Sequence, residues 1–411
     1  MKILHTSDWH AGKVWKGQSR LDELGAVLDD LAGVVERDHI ELVLMTGDIF
    51  DTASPSADAE RLVFGFFRRV GRLGVPSAVI AGNHDSAVRV EAWAQLAELA
   101  HVHACGLPKA RDGGGTIEVH GRSGERALVA MVPFAPVSRL VSARELGATP
   151  ERAAGTYARQ MQRLVTEVCE GFRASTVNLL MAHTHLHGAL IGGSERRVHV
   201  GDDWAVRPQV LPASANYVAL GHIHLHQQVE AAPAPTWYAG SPLQLDFGEQ
   251  GQGKFYNVVD ARPNQPTRVE ARPYVGGRPL RTVTIAASAL RDATGSVARG
   301  GTPPAWNSAP AAVDVSDRPH LRVVVECTAA EAAMDINRHV RASIPGVLSV
   351  DVRLPAASPS QPVGPRTDGS LAPRELYASF RAARRAAPAP AAVLEAFDRL
   401  YDAAAAEESA T

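Results

Sequence analysis

The stretch that decides the fold is LVLMTGD, residues 42–48. Residues 42–45 form a continuous apolar run, which predicts a strand buried on both faces. Gly47 then allows the chain to turn sharply, so that the side chain of Asp48 faces the edge of the sheet. The stretch therefore predicts a core strand with a candidate site residue at its end.

The segments around this strand alternate between strand-like and helix-like patterns. Strands are predicted at 3–6 and 75–81, and helices at 21–35, 59–73 and 90–99, where apolar residues recur at helical spacing. This alternation predicts a mostly parallel sheet covered by helices.

A second set of strands follows, with one long helix between them. The strands are predicted at 116–120, 127–132, 177–181, 217–220, 237–239, 255–259 and 268–272, and the helix at 152–172. Two sheets packed face to face with helices outside are expected, an α/β fold arranged as a four-layer α-β-β-α sandwich over residues 1–274.

The remainder of the chain is predicted to form smaller parts. Strands at 321–327 and 348–354 around a helix at 329–344 indicate a small α+β domain over 275–355, with a flexible loop at 294–316. Residues 356–370 are a linker rich in Pro, Ser and Gly. Residues 371–411 are a helical segment with helices at 374–386 and 391–405, whose apolar face is expected to dock on the chain's own body or on a partner. That face comprises Leu376, Phe380, Leu394, Phe397, Leu400 and Tyr401.

The composition is that of an ordinary globular protein. Of 411 residues, 45% are hydrophobic and 21% charged, and a net charge of -2 excludes a generally basic nucleic-acid coat protein. Three scattered cysteines without a C-x-x-C motif fit a reducing compartment. A polar N-terminus argues against a signal peptide, and no apolar run approaches the roughly 20 residues of a membrane span. We therefore expect a cytoplasmic protein.

Five polar clusters carry the chemistry, and most of them directly follow a strand-like run. They are Asp8-Trp9-His10, Gly47-Asp48, Gly82-Asn83-His84-Asp85, His183 and Gly221-His222-Ile223-His224. Any one cluster alone is better explained as a helix cap, a turn or a surface feature. Together they supply enough oxygen and nitrogen ligands for two divalent metals side by side, which is typical of sites that cleave phosphate esters.

The spacing within the clusters suits metal binding. In an extended segment, residues two apart point the same way, so Asp8 and His10 can face one metal, and the pair His222 and His224 repeats this geometry. Two neighbouring metals need a bridging carboxylate, for which Asp48 is the candidate.

The third cluster offers a ligand and two candidate catalytic residues. The neutral amide of Asn83 limits the accumulated charge, and the mixed ligand set suits manganese, iron or zinc, with manganese favoured by the share of oxygen. His84 is expected to act as general acid or as a positive clamp on the phosphate, and Asp85 to hold the His84 ring in one tautomer. A structural histidine in a turn is the alternative for His84.

The sequence contains further histidines near the clusters and one further motif. His183 is preferred as a ligand over His185 and His187 because it ends its strand directly, and His5 is either a partner of Asp8 or a core residue.

Residues 248–254 have the spacing of a phosphate-binding loop, but Phe255 replaces the required hydroxyl and a strand replaces the helix. Nucleotide binding is therefore rejected there.

The motifs resemble those of the calcineurin-like metallophosphoesterases, and within that family the SbcD-type nuclease subunits of SbcCD complexes. The narrower resemblance rests on residues 5–12, 47–51, 217–224 and 238–242. It implies that one metal binds Asp8, His10, Asp48 and His224. It implies that the other binds Asp48, Asn83, His183 and His222. Ala11 and Ala182 depart from the commonest pattern, but neither carries chemistry.

The resemblance also implies an activity and partners. The activity is hydrolysis of double-stranded DNA ends and hairpins, as 3′-to-5′ exonuclease and as endonuclease, in DNA repair and recombination. An activated hydroxide attacks the phosphodiester and His84 acts as acid. The implied partners are an SMC-like ATPase subunit of the SbcC type, bound through the C-terminal helices, and a second copy of the chain, contacted through helices near 62–73 and 90–99. The small α+β domain corresponds to a capping domain. A small-molecule phosphodiesterase or phosphatase is the alternative, favoured by the net charge and disfavoured by the C-terminal modules.

Overall fold

The structure is a computed structural model that forms two compact units, residues 1–353 and 354–411. It describes residues 1–122, 124–141, 150–192, 205–287, 319–328, 335–344, 346–354, 374, 377–378, 381 and 390–398.

In the residues that the structure describes, the first unit contains three sheets and a short hairpin. Its strands are β1 (Lys2–Thr6), β2 (Val14–Trp15), β3 (Gln18–Ser19), β4 (Leu42–Thr46), β5 (Ser77–Ile80), β6 (Val102–Cys105), β7 (Thr116–His120), β8 (Arg126–Val132), β9 (Val177–His183), β10 (Tyr217–Gly221), β11 (Gln227–Gln228), β12 (Thr236–Tyr238), β13 (Phe255–Asp260), β14 (Arg268–Pro273), β15 (Leu280–Ala286), β16 (His320–Glu326) and β17 (Val347–Arg353). Its helices are α1 (Leu21–Arg37), α2 (Ala57–Arg72), α3 (Ala87–Ala97), α4 (Val137–Leu140), α5 (Pro150–Cys169) and α6 (Ile336–Ser343).

Two six-stranded sheets form the body of this unit. The first has the order β14-β13-β1-β4-β5-β6 and the second β11-β12-β10-β9-β8-β7. In the first sheet β1, β4, β5 and β6 run parallel, and in the second β8, β9, β10 and β12 do. The parallel strands of each sheet therefore end at a common edge.

The strand β4 shows how the sequence builds the layers. Its side chains alternate, so Leu42 and Leu44 pack in the core between the two sheets, whereas Val43 and Met45 pack in the core under α1 and α2. A third core lies between the second sheet and α5. The predicted four-layer α-β-β-α sandwich is confirmed.

Local signals explain where the outer helices begin and which face they bury. The Ser56 side chain accepts a hydrogen bond from Ala59 N at the start of α2, a cap typically worth about 1 kcal/mol. In α1 the buried residues include Leu24, Leu28 and Leu31, which recur at helical spacing, and burial of each such side chain contributes about 1.5–3 kcal/mol.

The predicted elements of the body are confirmed with ends shifted by a few residues, and five of the described strands were not predicted. These are the short hairpin strands β2 and β3, the edge strands β6 and β11, and the strand β15. In the third sheet β15, β16 and β17 run parallel and pack with α6 around a separate core. The predicted helix at 329–344 is found at Ile336–Ser343, and residues 329–334 lie outside the described residues. The predicted loop at 294–316 also lies outside them.

The second unit is described at a few positions. Residues 391–398 are helical, as are 374, 377, 378 and 381. The Tyr377 ring stacks on Phe397 with centroids 4.5 Å apart, and Arg374 lies 3.4 Å from Asp398. The linker and the predicted residues Leu376, Phe380, Leu400 and Tyr401 lie outside the described residues.

Two features of composition are visible in the described part of the chain. Cys105, Cys169 and Cys327 are free and buried. None of the described helices has the length and apolar character needed to cross a membrane.

Candidate metal centre

The polar clusters meet at one place, beyond the ends of the parallel strands of both sheets. Asp8 follows β1, Asp48 follows β4 and Asn83 follows β5, whereas His183 ends β9 and His222 follows β10. Because neighbouring parallel strands end at the same edge, residues far apart in the chain come together there.

The loops after β1 and β4 are tied to each other by backbone hydrogen bonds. Asp8 N donates to Gly47 O at 3.0 Å, and His10 N donates to Asp48 O at 3.0 Å. Asp8, His10 and Asp48 have φ angles of 50°, 46° and 48°, in the left-handed region, and His222 has 99°. Such conformations cost about 1–3 kcal/mol each and persist only where the surroundings impose them, as at functional sites.

Two glycines allow the loops to approach this closely. A Cβ at Gly82 would lie 2.1 Å from Asp48 Oδ1, and a Cβ at Gly221 would lie 2.0 Å from Thr46 O. Any larger residue at either position would displace the loop that carries the neighbouring site residue.

One half of the centre is formed by four buried residues from three loops. Potential ligand atoms of Asp8, His10, Asp48 and His224 all lie within 4.8 Å of one another. Nε2 of His10 lies 3.2 Å from His224 Nε2 and 3.6 Å from Asp48 Oδ2. The His222 backbone N–H donates to the Asp8 carboxylate, with 3.0 Å to Oδ1, and so connects this half to the next.

The other half lies on the opposite side of Asp48. Asn83 Oδ1 is 3.0 Å from His183 Nε2 and 2.8 Å from His222 Nδ1. His183 Nε2 is also 3.6 Å from Asp48 Oδ1. Asp48 therefore presents one carboxylate oxygen to each half of the centre.

The far nitrogens of three histidines determine which atoms face inward. His224 Nδ1 donates to Glu249 Oε1 at 3.2 Å, and His183 Nδ1 donates to Thr46 O at 2.8 Å. His10 Nδ1 lies 3.3 Å from Asp51 Oδ1, although the contact falls short of hydrogen-bond geometry. Carboxylates and carbonyls only accept, so Nδ1 of His224 and Nδ1 of His183 carry the proton, and the Nε2 of each ring keeps a lone pair.

This assignment of protons leaves lone pairs on ring nitrogens directed into the centre. The lone pair of His224 Nε2 faces His10 Nε2, and that of His183 Nε2 faces the carbonyl oxygen of Asn83. Two acceptors 3.0 Å apart, as His183 Nε2 and Asn83 Oδ1 are, repel unless a cation lies between them. The donor set therefore fits divalent cations, which bind neutral imidazole, carboxylate and amide oxygen.

The electrostatics agree with this fit. Burial raises the pKa of Asp8 well above its ordinary value, against the opposing effect of His224, and the neighbouring Asp48 raises it further. Burial also opposes ionisation of Asp48, but the neighbouring histidine rings, His183 foremost, outweigh burial and lower its pKa. Burial lowers the pKa of His10 to about 4, so its ring is neutral at pH 7. A cation would offset the cost of burying the two carboxylates.

His84 lies beside the centre and contacts it through its backbone N–H and its ring. Its backbone N–H donates to Asp48 Oδ1 at 2.8 Å, and its Nδ1 donates to Asp51 O at 2.8 Å. Its ring is edge-on to the His10 ring, with centroids 4.6 Å apart.

The expected role of Asp85 as the residue that orients His84 is wrong. Its carboxylate accepts from three backbone N–H groups, of Ile49 at 3.1 Å, Phe50 at 2.9 Å and Gly82 at 2.8 Å. The carbonyl of Asp51 orients the His84 ring instead. Chain neighbours in a tight turn point apart, so Asp85 fastens the loop after β5 to the loop after β4.

The remaining histidines are placed as follows. His183 lies in the centre. Further along the chain, the His185 side chain is buried and the His187 side chain is exposed. His5 is a core residue, with Nδ1 2.9 Å from the Tyr217 hydroxyl and Nε2 3.1 Å from Thr46 Oγ1.

Two residues that were not predicted from the sequence, Glu249 and Lys254, lie in the segment with the spacing of a phosphate-binding loop. Lys254 Nζ donates to Glu249 Oε2 at 2.6 Å, and Glu249 in turn accepts from His224. The signal that could have drawn attention to them is the acid and lysine in a short loop leading into the buried strand β13.

Comparison with known proteins gives matches over the same part of the chain. A sequence model of the calcineurin-like phosphoesterase family matches residues 1–226. The D subunit of the nuclease SbcCD from Bacillus subtilis is 34% identical over 284 residues, which is 68% of this chain and 71% of that protein. The same-named protein of Rhodobacter capsulatus is 34% identical over 274 residues, 63% of this chain and 66% of that protein.

Two solved structures are also similar in part. TT1561 of Thermus thermophilus is 15% identical with a TM-score of 0.36, and a dimetal phosphatase from Danio rerio is 11% identical with a TM-score of 0.38. Each match covers 66% of this chain and 98% of the other. From the family match and the identity to the two relatives, we conclude that this chain is a phosphodiester hydrolase of the calcineurin-like phosphoesterase family.

Proposed function

We propose that this chain is the metal-dependent DNA nuclease subunit of an SbcCD-like complex. The observation that carries the metal part of the proposal is the set of inward-facing lone pairs on both sides of Asp48, with one Asp48 oxygen toward each side. The DNA part rests on the two relatives, which are both named as D subunits of the nuclease SbcCD.

The proposed ligands divide into two sets that share Asp48. One metal takes Asp8, His10, Asp48 and His224, which lie together in the first half of the centre. The second takes Asp48, Asn83, His183 and His222. Oxygen contributes a large share of the ligands, which favours manganese. When bound, two such metals neutralise phosphate charge and lower the pKa of water.

The protein's own groups define how the substrate is handled. The Asp51 carbonyl can only accept, so Nδ1 of His84 is protonated, and Nε2 is the atom that can reach the substrate. When the ring carries both protons, Nε2–H can donate to the leaving sugar oxygen as general acid. The proposed substrates are ends and hairpins of double-stranded DNA, cut as 3′-to-5′ exonuclease and as endonuclease, in repair and recombination.

The proposed domains follow the expectations from the sequence. Residues 1–274 carry the phosphoesterase site, 275–355 form a capping domain, 356–370 a linker and 371–411 a partner-binding segment. The partner is an SMC-like ATPase of the SbcC type. Supporting this, Tyr377 and Phe397 are only half-buried, so their stacked rings retain apolar surface for a partner. The complex would act in the cytoplasm, on the nucleoid.

A second copy of the chain is proposed to dock on α2 and α3. Large apolar side chains there are exposed: Phe64 by 38%, Val88 by 71% and Leu96 by 72%. Leu99, just beyond α3, is exposed by 85%. Exposed apolar groups on adjacent helices are typical of a protein interface.

The test is cleavage by the purified chain with manganese. End-labelled linear duplex and hairpin DNA are compared with a chromogenic phosphodiester, beside a His84→Ala control. DNA cutting that His84→Ala abolishes supports the proposal. Turnover of the small ester alone would instead support the alternative, a small-molecule phosphodiesterase of the same family.

A further inference from the structure

A carboxylate and a lysine, both outside the proposed ligand set, lie directly behind one of the site histidines. Glu249 is fully buried at the end of a short 3-10 helix, Phe247–Glu249. Its Oε1 accepts from His224 Nδ1 at 3.2 Å, and its Oε2 accepts from Lys254 Nζ at 2.6 Å and from Leu245 N at 3.1 Å.

Lys254 makes two further hydrogen bonds besides the one to Glu249. Lys254 Nζ also donates to the His224 backbone oxygen at 3.1 Å and to Ser241 Oγ at 2.9 Å. Its side chain is 8% exposed, so the ion pair with Glu249 is nearly desolvated. Lys254 therefore contacts both the backbone of His224 and the acid that holds its ring.

A desolvated ion pair is a weak source of stability, because the cost of removing two charges from water offsets their attraction. A hydrophobic pair of similar volume would serve the fold as well. The geometry does suit a metal-binding histidine. A carboxylate that accepts from Nδ1–H fixes the tautomer of the ring and raises the basicity of Nε2. The Nε2 of His224 is the atom that faces His10 Nε2 at 3.2 Å.

We infer that Glu249 is a positioning residue for His224, and that Lys254 holds Glu249 in place for that purpose. The inference rests on the proposed metal site and assigns a role to two residues outside it. A similar arrangement occurs at His10, whose Nδ1 lies 3.3 Å from Asp51 Oδ1, and Asp51 is 3.0 Å from Lys13 Nζ. Both histidines of this half of the centre are thus backed by a carboxylate with its own lysine.

The test measures manganese binding to the full-length chain by titration calorimetry. Glu249→Gln keeps an oxygen near His224 but removes the charge, and the double variant Glu249→Gln/Lys254→Met removes the whole ion pair. We expect both to bind one of the two ions about 10–100-fold more weakly, the range typical of such supporting residues. The control Glu23→Gln removes another carboxylate, bonded to Arg20 and to His320, and should leave both affinities unchanged.

The double variant separates positioning from folding. Glu249→Gln alone leaves the charge of Lys254 buried without its partner, whereas the double variant leaves no buried charge unpaired. If the ion pair only stabilises the fold, the double variant therefore regains both the melting temperature and the metal affinity that Glu249→Gln loses. If Glu249 positions His224, the melting temperature recovers and the affinity does not. A double variant that folds and binds both ions as the wild type does would overturn the inference.

A second measurement on the unmodified chain covers the case in which the variants fail to fold. In metal-free protein with ¹⁵N-labelled histidine, NMR reports the tautomer of His224, assigned by loss of its signals in His224→Gln. Protonation at Nδ1 is expected, and protonation at Nε2 would overturn the inference. A wild-type chain that binds no manganese would instead refute the proposed function.

Discussion

Replacing Asp85 by asparagine tests whether this residue fastens the loops of the metal centre. The carboxylate uses both oxygens: Oδ2 accepts from Ile49 N and Gly82 N, and Oδ1 accepts from Phe50 N. Asparagine has one acceptor oxygen, so its amino group must face a backbone N–H. One unsatisfied buried donor costs about 1–3 kcal/mol, and loss of charge on the remaining bonds adds to it. We expect Asp85→Asn to lose about 2–4 kcal/mol of unfolding free energy.

The assay is urea unfolding at pH 8 with a metal chelator present. Glu91→Gln is the matched control, because Glu91 accepts from Gly106 N and Leu107 N on a single oxygen, which glutamine keeps. It also loses a surface ion pair with Lys109, and should cost less than about 1 kcal/mol in total.

If Asp85→Asn is as stable as the wild type but shifts the pH dependence of cleavage, Asp85 acts on His84 and the assignment as a loop fastener is wrong. Under our account the stability falls, and the pH dependence at saturating manganese stays that of the wild type.

Three further perturbations are each checked by one measurement. His84→Ala should lower the cleavage rate by about 10²–10⁴-fold while calorimetry still shows two bound ions; loss of the ions would show that His84 supports the fold or the ligands. Gly82→Ala should abolish manganese binding, because its Cβ would lie 2.1 Å from a site carboxylate oxygen, whereas Gly65→Ala, with nothing within 4 Å, should not; equal binding by both would contradict the crowding argument. Burial raises the pKa of Glu23, but hydrogen bonds from His320 and an arginine lower it to about 2, below its usual 4.5. The wild type should therefore be more stable than Glu23→Gln, with the full difference present above pH 4.5 and lost as the pH falls toward 2. Melting curves of both proteins at several pH values check this. A difference that stays constant with pH would show that the charge of Glu23 is not involved.

The core of the fold could be predicted because its signals are local. The buried run of β4 predicts a covered parallel strand from four consecutive apolar residues, and the other long strands show similar patterns. The edge strand β6 was missed because its sequence VHAC is short and contains a histidine. The two-residue strands β2 and β3 are too short to show any period.

The site residues also fall into those that the sequence predicts and those whose roles it does not. Residues such as Asp48 directly follow strong strands, so the sequence predicts where they lie. The roles of Asp85 and Glu249 depend on partners that only the fold brings near. Glu249 lies 25 positions beyond His224 in the chain, in a segment whose local pattern suggested a different motif. Asp85 adjoins His84 in the chain but binds backbone groups of another loop.

The most direct test of the central claim is an anomalous-diffraction map from crystals of the chain soaked in manganese. The account predicts two peaks, with Asp48 between them. One peak lies among Asp8, His10 and His224, and the other lies among Asn83, His183 and His222. A single peak, or peaks away from Asp48, would contradict it.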